Sequence, residues 1–396
     1  MLKLPVYLDN HATTPLDPRV LQTMMPFLTD DFGNPSSVDH PYGARAAEAV
    51  ENSRETIAKV IKAASHEVIF TSGATESDNL AIKGVAEAYR AKGRHIITCV
   101  TEHKAVLDTC QYLEGLGWSV SYIPVDKFGI VDVKKLESSI TKETVLISIM
   151  FANNEIGTLA PIDEIGQIAK RHGVFFHSDA AQAVGHVHVD VNKLGIDLMS
   201  ISGHKINGPK GIGAIYIRGH GPRVKPVAGL LGGGQERGLR SGTLNVPGIV
   251  GLGKALDIAD KEMDQEALRL SSWADKMKSR FESEAGAYLN GHPVNRLSHN
   301  LNLFFPGVES KGLIQLVSSQ VAISASSACT TSEVEPSHVI LALGYGPERA
   351  HSSIRIGLGR FNTQEEIGFA TDTIMSGVKR LNKIRNSELF VSSHTR

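Results

Sequence analysis

Between about residue 65 and residue 220 the chain alternates short β-branched runs with longer amphipathic stretches, a rhythm that few folds accept. The runs EVIFTSG, HIITCV, WSVSYIPV, TVLISIMFA, VFFHSDA, DLMSIS and GIGAIYIRG read as strands. Between most of them lie segments such as SDNLAIKGVAEAYRAKG and PIDEIGQIAKRHG, whose apolar spacing and closing glycine are those of a helix. Such alternation builds a parallel sheet covered by helices. The last three runs follow one another too closely for full crossover helices, so at least one neighbouring pair is expected to be antiparallel or irregularly joined. The expected fold class is α/β, a mostly parallel sheet of about seven strands flanked by helices. After a long helical stretch the pattern changes to NLNLFFPG, VAISASSAC and HSSIRIGLGR with helices between. This change divides the chain into a large domain over residues 15–261 and a smaller α/β domain made of residues 1–14 and 262–396. The polar end SELFVSSHTR is expected to fray.

Length and charge narrow the function classes. A chain of 396 residues can bury a substantial core. Its 41 lysines and arginines against 42 acids leave a formal charge of -1, which speaks against direct binding of nucleic acid or an anionic membrane. No stretch approaches the roughly 18 apolar residues of a membrane span. A cytoplasmic protein acting on a small molecule is expected. Only Cys99, Cys110 and Cys329 could form disulfides, an odd and sparse set that suits a reducing compartment. Cys99, in HIITCV, and Cys110, in KAVLDTCQYLEGLG, read as small core residues. Cys329 stands apart in the polar run SSACTTSEVEPSHV, open to reading as nucleophile or metal ligand.

Ligands of open α/β sheets bind beyond the carboxyl ends of the strands, so the residues after each strand carry the chemistry. TSGATESDN after the first run is a Gly/Ser/Thr turn entering a helix, which offers hydroxyls and free N–H groups to an anion such as phosphate. No G-x-G-x-x-G or Walker sequence accompanies it, so dinucleotides and ATP are disfavoured. Later strand ends supply His103, Asn154, Asp179, Gln182, Ser202, His204 and Lys205. An acid at one strand end and a lysine in a glycine-flanked turn 26 residues later are what pyridoxal phosphate requires. The carboxylate keeps the pyridine nitrogen protonated, and the lysine holds the cofactor as a Schiff base.

The blocks YLDNHATTP, FGNPSS, TSGATESDNLAIKG, TEHKAVLDTC, NNEIG, SGHKINGPKGIGA, GGGQERGLRSGT, SSACT and AHSSIRIGLGRF, in this order, resemble the NifS/IscS-type cysteine desulfurases end to end. These are class V, fold-type I pyridoxal-phosphate enzymes. The resemblance implies that Lys205 binds the cofactor and then shuttles a proton. Asp179 would pair with the pyridine nitrogen, Gln182 would contact the ring phenolic oxygen, and His103 would stack on the ring and assist proton transfer. Ala74, Thr75, Ser202 and His204 would hold the phosphate. Thr243 would reach the phosphate of a neighbouring subunit, making a homodimer part of the site. Arg355, with Asn154 and Asn34, would bind the carboxylate of L-cysteine. Cys329 would take the sulfur as a persulfide and pass it to an acceptor protein, either an iron–sulfur scaffold or a sulfur carrier. There is no intrinsic metal in this reading, although Cys329 would be available as a cluster ligand when docked to a scaffold.

The same fold also hosts selenocysteine lyases, cysteine lyases and small amino-acid aminotransferases. The polar run around Cys329 favours desulfuration, because transamination needs no thiol. A noncatalytic scaffold would be marked by loss of Lys205, Asp179 or Cys329, and all three are present. His186, His188 and Asp190 alternate in GHVHVD, which invites a metal reading, but a solvated edge with period-two exposure is the expectation. The tail RLNKIRNSELFVSSHTR is shorter than in the housekeeping enzymes of iron–sulfur assembly, which leaves RNA thiolation, DNA sulfur modification or a dedicated metalloenzyme open as destinations.

Overall fold

The computed structural model of the chain describes residues 2–221, 223–325 and 336–393, with side chains described through residue 385. Its strands are β1 (Val6–Tyr7), β2 (Val68–Thr71), β3 (His95–Cys99), β4 (Ser119–Ile123), β5 (Thr144–Ser148), β6 (Phe175–Asp179), β7 (Leu198–Ser202), β8 (Gly213–Ile217), β9 (Tyr288–Leu289), β10 (Asn300–Phe304), β11 (Val321–Ala322), β12 (Ser324–Ala325) and β13 (Ser353–Gly357). The α-helices are α1 (Pro18–Thr29), α2 (Pro41–Ile61), α3 (Ala74–Tyr89), α4 (Lys104–Gly115), α5 (Val133–Ser138), α6 (Ile162–His172), α7 (Val246–Ala285), α8 (Ser310–Val317), α9 (His338–Ala342), α10 (Pro347–His351) and α11 (Gln364–Ser393).

All seven sequence runs between residues 65 and 220 are strands of one sheet, ordered β2-β8-β7-β6-β5-β3-β4. Every strand runs the same way except β8, which is antiparallel to both β7 and β2. The short β7–β8 connection requires that reversal, because a parallel crossover needs a dozen or more residues. Strands β3, β5, β7 and β8 are buried along their whole length, as a sheet covered on both faces demands. Two apolar clusters line its two faces, one around Phe176, Ile147, Met199 and Tyr216, the other around Ile96, Leu146, Leu198 and Ile215.

Helix ends follow local chemistry where the sequence supplies it. Asp163 and Glu164 open α6, Lys170, Arg171 and His172 close it, and Gly173 terminates it at φ 63°; the charges oppose the helix dipole and the glycine takes the left-handed cap. α3 behaves otherwise: it stops at Tyr89, capped by Arg90, ahead of Gly93. A Cβ on Gly93 would lie 2.2 Å from the Glu143 carbonyl oxygen, so this glycine serves a close backbone crossing instead.

A second, four-stranded antiparallel sheet has the order β12-β13-β10-β9, and β1 pairs in parallel with β11 beside it. Its core gathers Val6 and Leu8 with Leu301, Leu303, Phe305, Ile354 and Ile356. The 40-residue α7 serves both cores: Ile249, Leu252 and Leu256 pack on the large sheet, and Leu270, Met277 and Phe281 on the small one. Cys99 and Cys110 are core residues, 2% and 0% exposed, and burial pushes both thiols up to about 12. No described helix is long and apolar enough to cross a membrane.

Candidate active site

Because β2, β3, β5, β6 and β7 share a direction, their carboxyl ends lie along one edge of the sheet. The turn after β2 enters α3 through Gly73, which sits at φ 153°, ψ -177°, a region open essentially to glycine alone. Among the described residues no side chain caps α3, so the N-terminal amides over Ala74 and Thr75 keep their positive end available. Gly213 lets this turn lie against the start of β8; a Cβ there would approach Gly73 Cα to 2.6 Å.

Beside it, β7 ends at the buried Ser202, and a 3-10 turn over Gly203–Lys205 carries His204 and Lys205. The N-terminal segment crosses this turn: Thr14 N donates to His204 O, and His204 Nδ1 lies 3.2 Å from Thr13 Oγ1. Lys205 Nζ donates to the carbonyls of His11 and Ala12, at 2.5 and 2.9 Å. Burial and the positive Arg355 lower the Lys205 pKa to about 8, opposed by Asp179 and Asp9. Asp179 ends β6, the parallel neighbour of β7, and its Oδ1 accepts from Ala181 N at 2.9 Å. Gln182, one turn on, donates from Nε2 to His11 O at 3.0 Å.

Arg355 arrives on β13 and is 1% exposed. Its Nε donates to Ser324 Oγ (3.1 Å), Nη1 to Asn154 O (3.1 Å) and Nη2 to Asp9 Oδ1 (2.9 Å). A guanidinium has five N–H groups, so one on each terminal nitrogen is left to grip a carboxylate in two-point fashion. The structure thus brings Lys205, Asp179, Gln182, Ser202, His204, Asn154 and Arg355 to the sheet edge, where α3 opens.

Residues 6–369 match the family described as Aminotransferase class-V. The chain belongs to that family. Among its relatives, the protein named Cysteine desulfurase IscS of Anaeromyxobacter dehalogenans (strain 2CP-C) is 48% identical over 384 residues, 97% of this chain and 95% of that one. A solved structure described as a NifS-like protein has a TM-score of 0.88 at 39% identity, covering 94% of this chain and 99% of that one. A second, described as SspA in complex with cysteine, has a TM-score of 0.80 at 38% identity, covering 90% and 99%.

The edge of this class-V chain fits the group that the family's chemistry implies. An amine with a pKa of about 8 is partly neutral in mild base and so able to bond a carbonyl carbon. Asp179 offers a carboxylate, and the uncapped α3 suits a phosphate. Beneath the site, His177 bridges Ser148 Oγ (2.9 Å) and Ser200 Oγ (3.0 Å), with Asp78 Oδ1 3.6 Å away. Burial lowers the His177 pKa to about 3, and burial together with the neighbouring Asp179 carboxylate raises those of Asp78 and Glu102.

Among the described residues, His103, Asn34 and Thr243 hydrogen-bond to none of these side chains. His103 is exposed and caps α4, its Nδ1 accepting from Ala105 N at 3.1 Å. Asn34 lies in the exposed loop between α1 and α2, where its Oδ1 accepts from Ser36 N. Thr243 is exposed, three residues beyond Arg240, which pairs with Glu76 on α3 at 2.9 Å. Cys329 lies outside the described residues; the chain is described to Ala325, which pairs with Ile354 of β13. GHVHVD forms no metal cluster: His188 pairs with Asp264, Asp190 accepts from Asn192 N, and His186 points inward at the Lys205 carbonyl instead of joining an exposed alternation. Among the described residues no group of three ligand side chains could hold a metal. Asp9, His11 and Ser324 were not singled out by sequence reasoning; YLDNHATTP was visible as a block, but nothing in it said that the segment returns to the β7 turn.

Proposed function

We propose that the chain is a pyridoxal-phosphate-dependent cysteine desulfurase, which converts L-cysteine to L-alanine and passes the sulfur, as a persulfide on Cys329, to an acceptor protein. The observation that carries this reading is Lys205, its pKa lowered to about 8, set between the carboxylate Asp179 and the guanidinium Arg355. Pyridoxal phosphate, when bound, supplies an electron sink that weakens the bonds at Cα and Cβ of an amino acid.

The chain's residues do the rest. Lys205 would hold the cofactor and move the Cα proton, while Asp179 would keep a proton on the ring nitrogen and Gln182 would donate to the ring oxygen. Ala74, Thr75, Ser202 and His204 would take the phosphate, and the exposed His103 would stack on the ring and assist proton transfer. Arg355, with Asn154 and Asn34, grips the substrate carboxylate through its two remaining N–H groups. The Cys329 thiolate attacks the substrate sulfur; an S–S bond forms, the Cβ–S bond breaks, and a proton on the released carbon completes alanine. The sulfur is oxidised to the S–S level as Cβ is reduced from C–S to C–H, so the step needs no outside oxidant. The relatives named as cysteine desulfurases, and SspA solved with cysteine, support cysteine as the substrate.

The functional unit of this reading is a cytoplasmic homodimer in which Thr243 reaches the partner's phosphate. Its large domain is residues 15–261 and its small domain residues 1–14 and 262–396; the two apolar cores served by α7 support that division. The acceptor is an iron–sulfur scaffold or a sulfur carrier. Replacing Cys329 with serine tests the transfer step. The variant is expected to bind cofactor and L-cysteine normally while carrying no labelled sulfur to scaffold or carrier; label reaching an acceptor from the Cys329→Ser protein would refute the role.

A further inference from the structure

Three imidazoles stack behind Lys205. The His11 and His299 ring centroids are 4.6 Å apart at 22°, and those of His299 and His186 are 4.3 Å apart at 32°. They come from distant parts of the chain: the N-terminal segment, the turn after β6 and the residue before β10. His11 and His299 are buried, and burial pushes all three rings below the ordinary imidazole range. Arg355, His186 and Lys205, the cationic or basic groups facing His11, push its pKa the same way. The stack is therefore neutral, and its rings lie close without mutual repulsion.

A neutral imidazole has one N–H, and its hydrogen-bond partner decides where that proton sits. His11 Nδ1 is 3.1 Å from Gln182 Oε1, an oxygen that only accepts, so the proton is on Nδ1. At the other end of the same amide, Gln182 Nε2 donates to His11 O at 3.0 Å. Residue 11 thus holds both ends of the Gln182 amide, and the opposite flip would set a carbonyl oxygen against a carbonyl oxygen. His11 Nε2, buried and without a hydrogen-bond partner among the described residues, is the unprotonated nitrogen that this tautomer requires. His186 Nε2 completes the support by donating to Lys205 O at 3.0 Å.

We propose that His11 is a positioning residue for the cofactor site: braced by His299 and His186, its Nδ1–H locks the Gln182 amide so that the second amide hydrogen is presented to the cofactor's ring oxygen. This role rests on the function proposed above. A donor at that oxygen favours its ionised form and lowers the pH at which the bound cofactor's visible band titrates.

The test compares holoenzymes. His11→Leu keeps bulk but has no donor, and is expected to raise the titration midpoint of the visible band by about one unit. His11→Asn, whose amide N–H can replace Nδ1–H, is expected to restore most of the shift. An unshifted band in His11→Leu, or an His11→Asn variant no better than leucine, would overturn the role while leaving the function intact. A wild-type chain that never takes up the cofactor would overturn the function and this role together. Nitrogen-15 NMR of unsubstituted holoenzyme adds a reading that needs no variant to fold: His11 is expected as the Nδ1–H tautomer, and an Nε2–H signal would overturn the proposal.

Discussion

Lys205 shows how far one side chain's chemistry is set by its surroundings. The ammonium form is disfavoured by burial and by Arg355 more than Asp179 and Asp9 can offset, so the folded pKa falls from 10.5 to about 8. The sign for stability follows: between about 8 and 10.5 the unfolded chain binds the proton and the folded chain has released it, so this group's contribution to stability rises with pH across that window. Reaction of the apoprotein with pyridoxal phosphate should accordingly speed up through pH 8, followed by visible absorbance, and Lys205→Ala should develop no such band. A midpoint near the ordinary lysine value would contradict the described environment. Lys205 and Asp179 were legible in the sequence because residue type and position at a strand end suffice to nominate them. Asp9, His11 and Ser324 were not, because their part depends on a segment nearly 200 or more residues away in sequence returning to the same turn.

At the scale of elements, periodicity located the strands and helices of the large sheet, and its lapses have physical reasons. Gly173 ends α6 as a cap should, whereas Gly93 looks the same in sequence but answers to the Glu143 backbone. The two-residue strands β1, β9, β11 and β12 exist through pairing with distant partners and carry no period of their own. α7 was legible as one long helix, and the expected domain division at residues 261/262 falls inside it; which of its side chains pack on which sheet was not legible. Phe281, fully buried in the second half, meets Phe305 edge-on at 5.5 Å between centroids. Phe281→Ala should destabilise the protein by about 3–5 kcal/mol, through lost burial and the cavity left behind. Urea unfolding checks this, and an unchanged midpoint would contradict the packing described for the small sheet.

For the whole molecule, the alternation of short strands and helices specified a one-edged ligand site before any side chain was considered, and the near-zero net charge pointed to a small substrate. What pattern alone could not supply is the joining of two sheets at Arg355, where β13, the N-terminal segment and the loop after β5 meet. The most direct test of the account is turnover of L-cysteine by the purified protein, with and without dithiothreitol, measuring alanine and sulfide together and mapping persulfide by mass spectrometry. The account predicts alanine with a persulfide on Cys329, and sulfide release only with the reductant. Cysteine left intact while selenocysteine or a keto acid is turned over would contradict it.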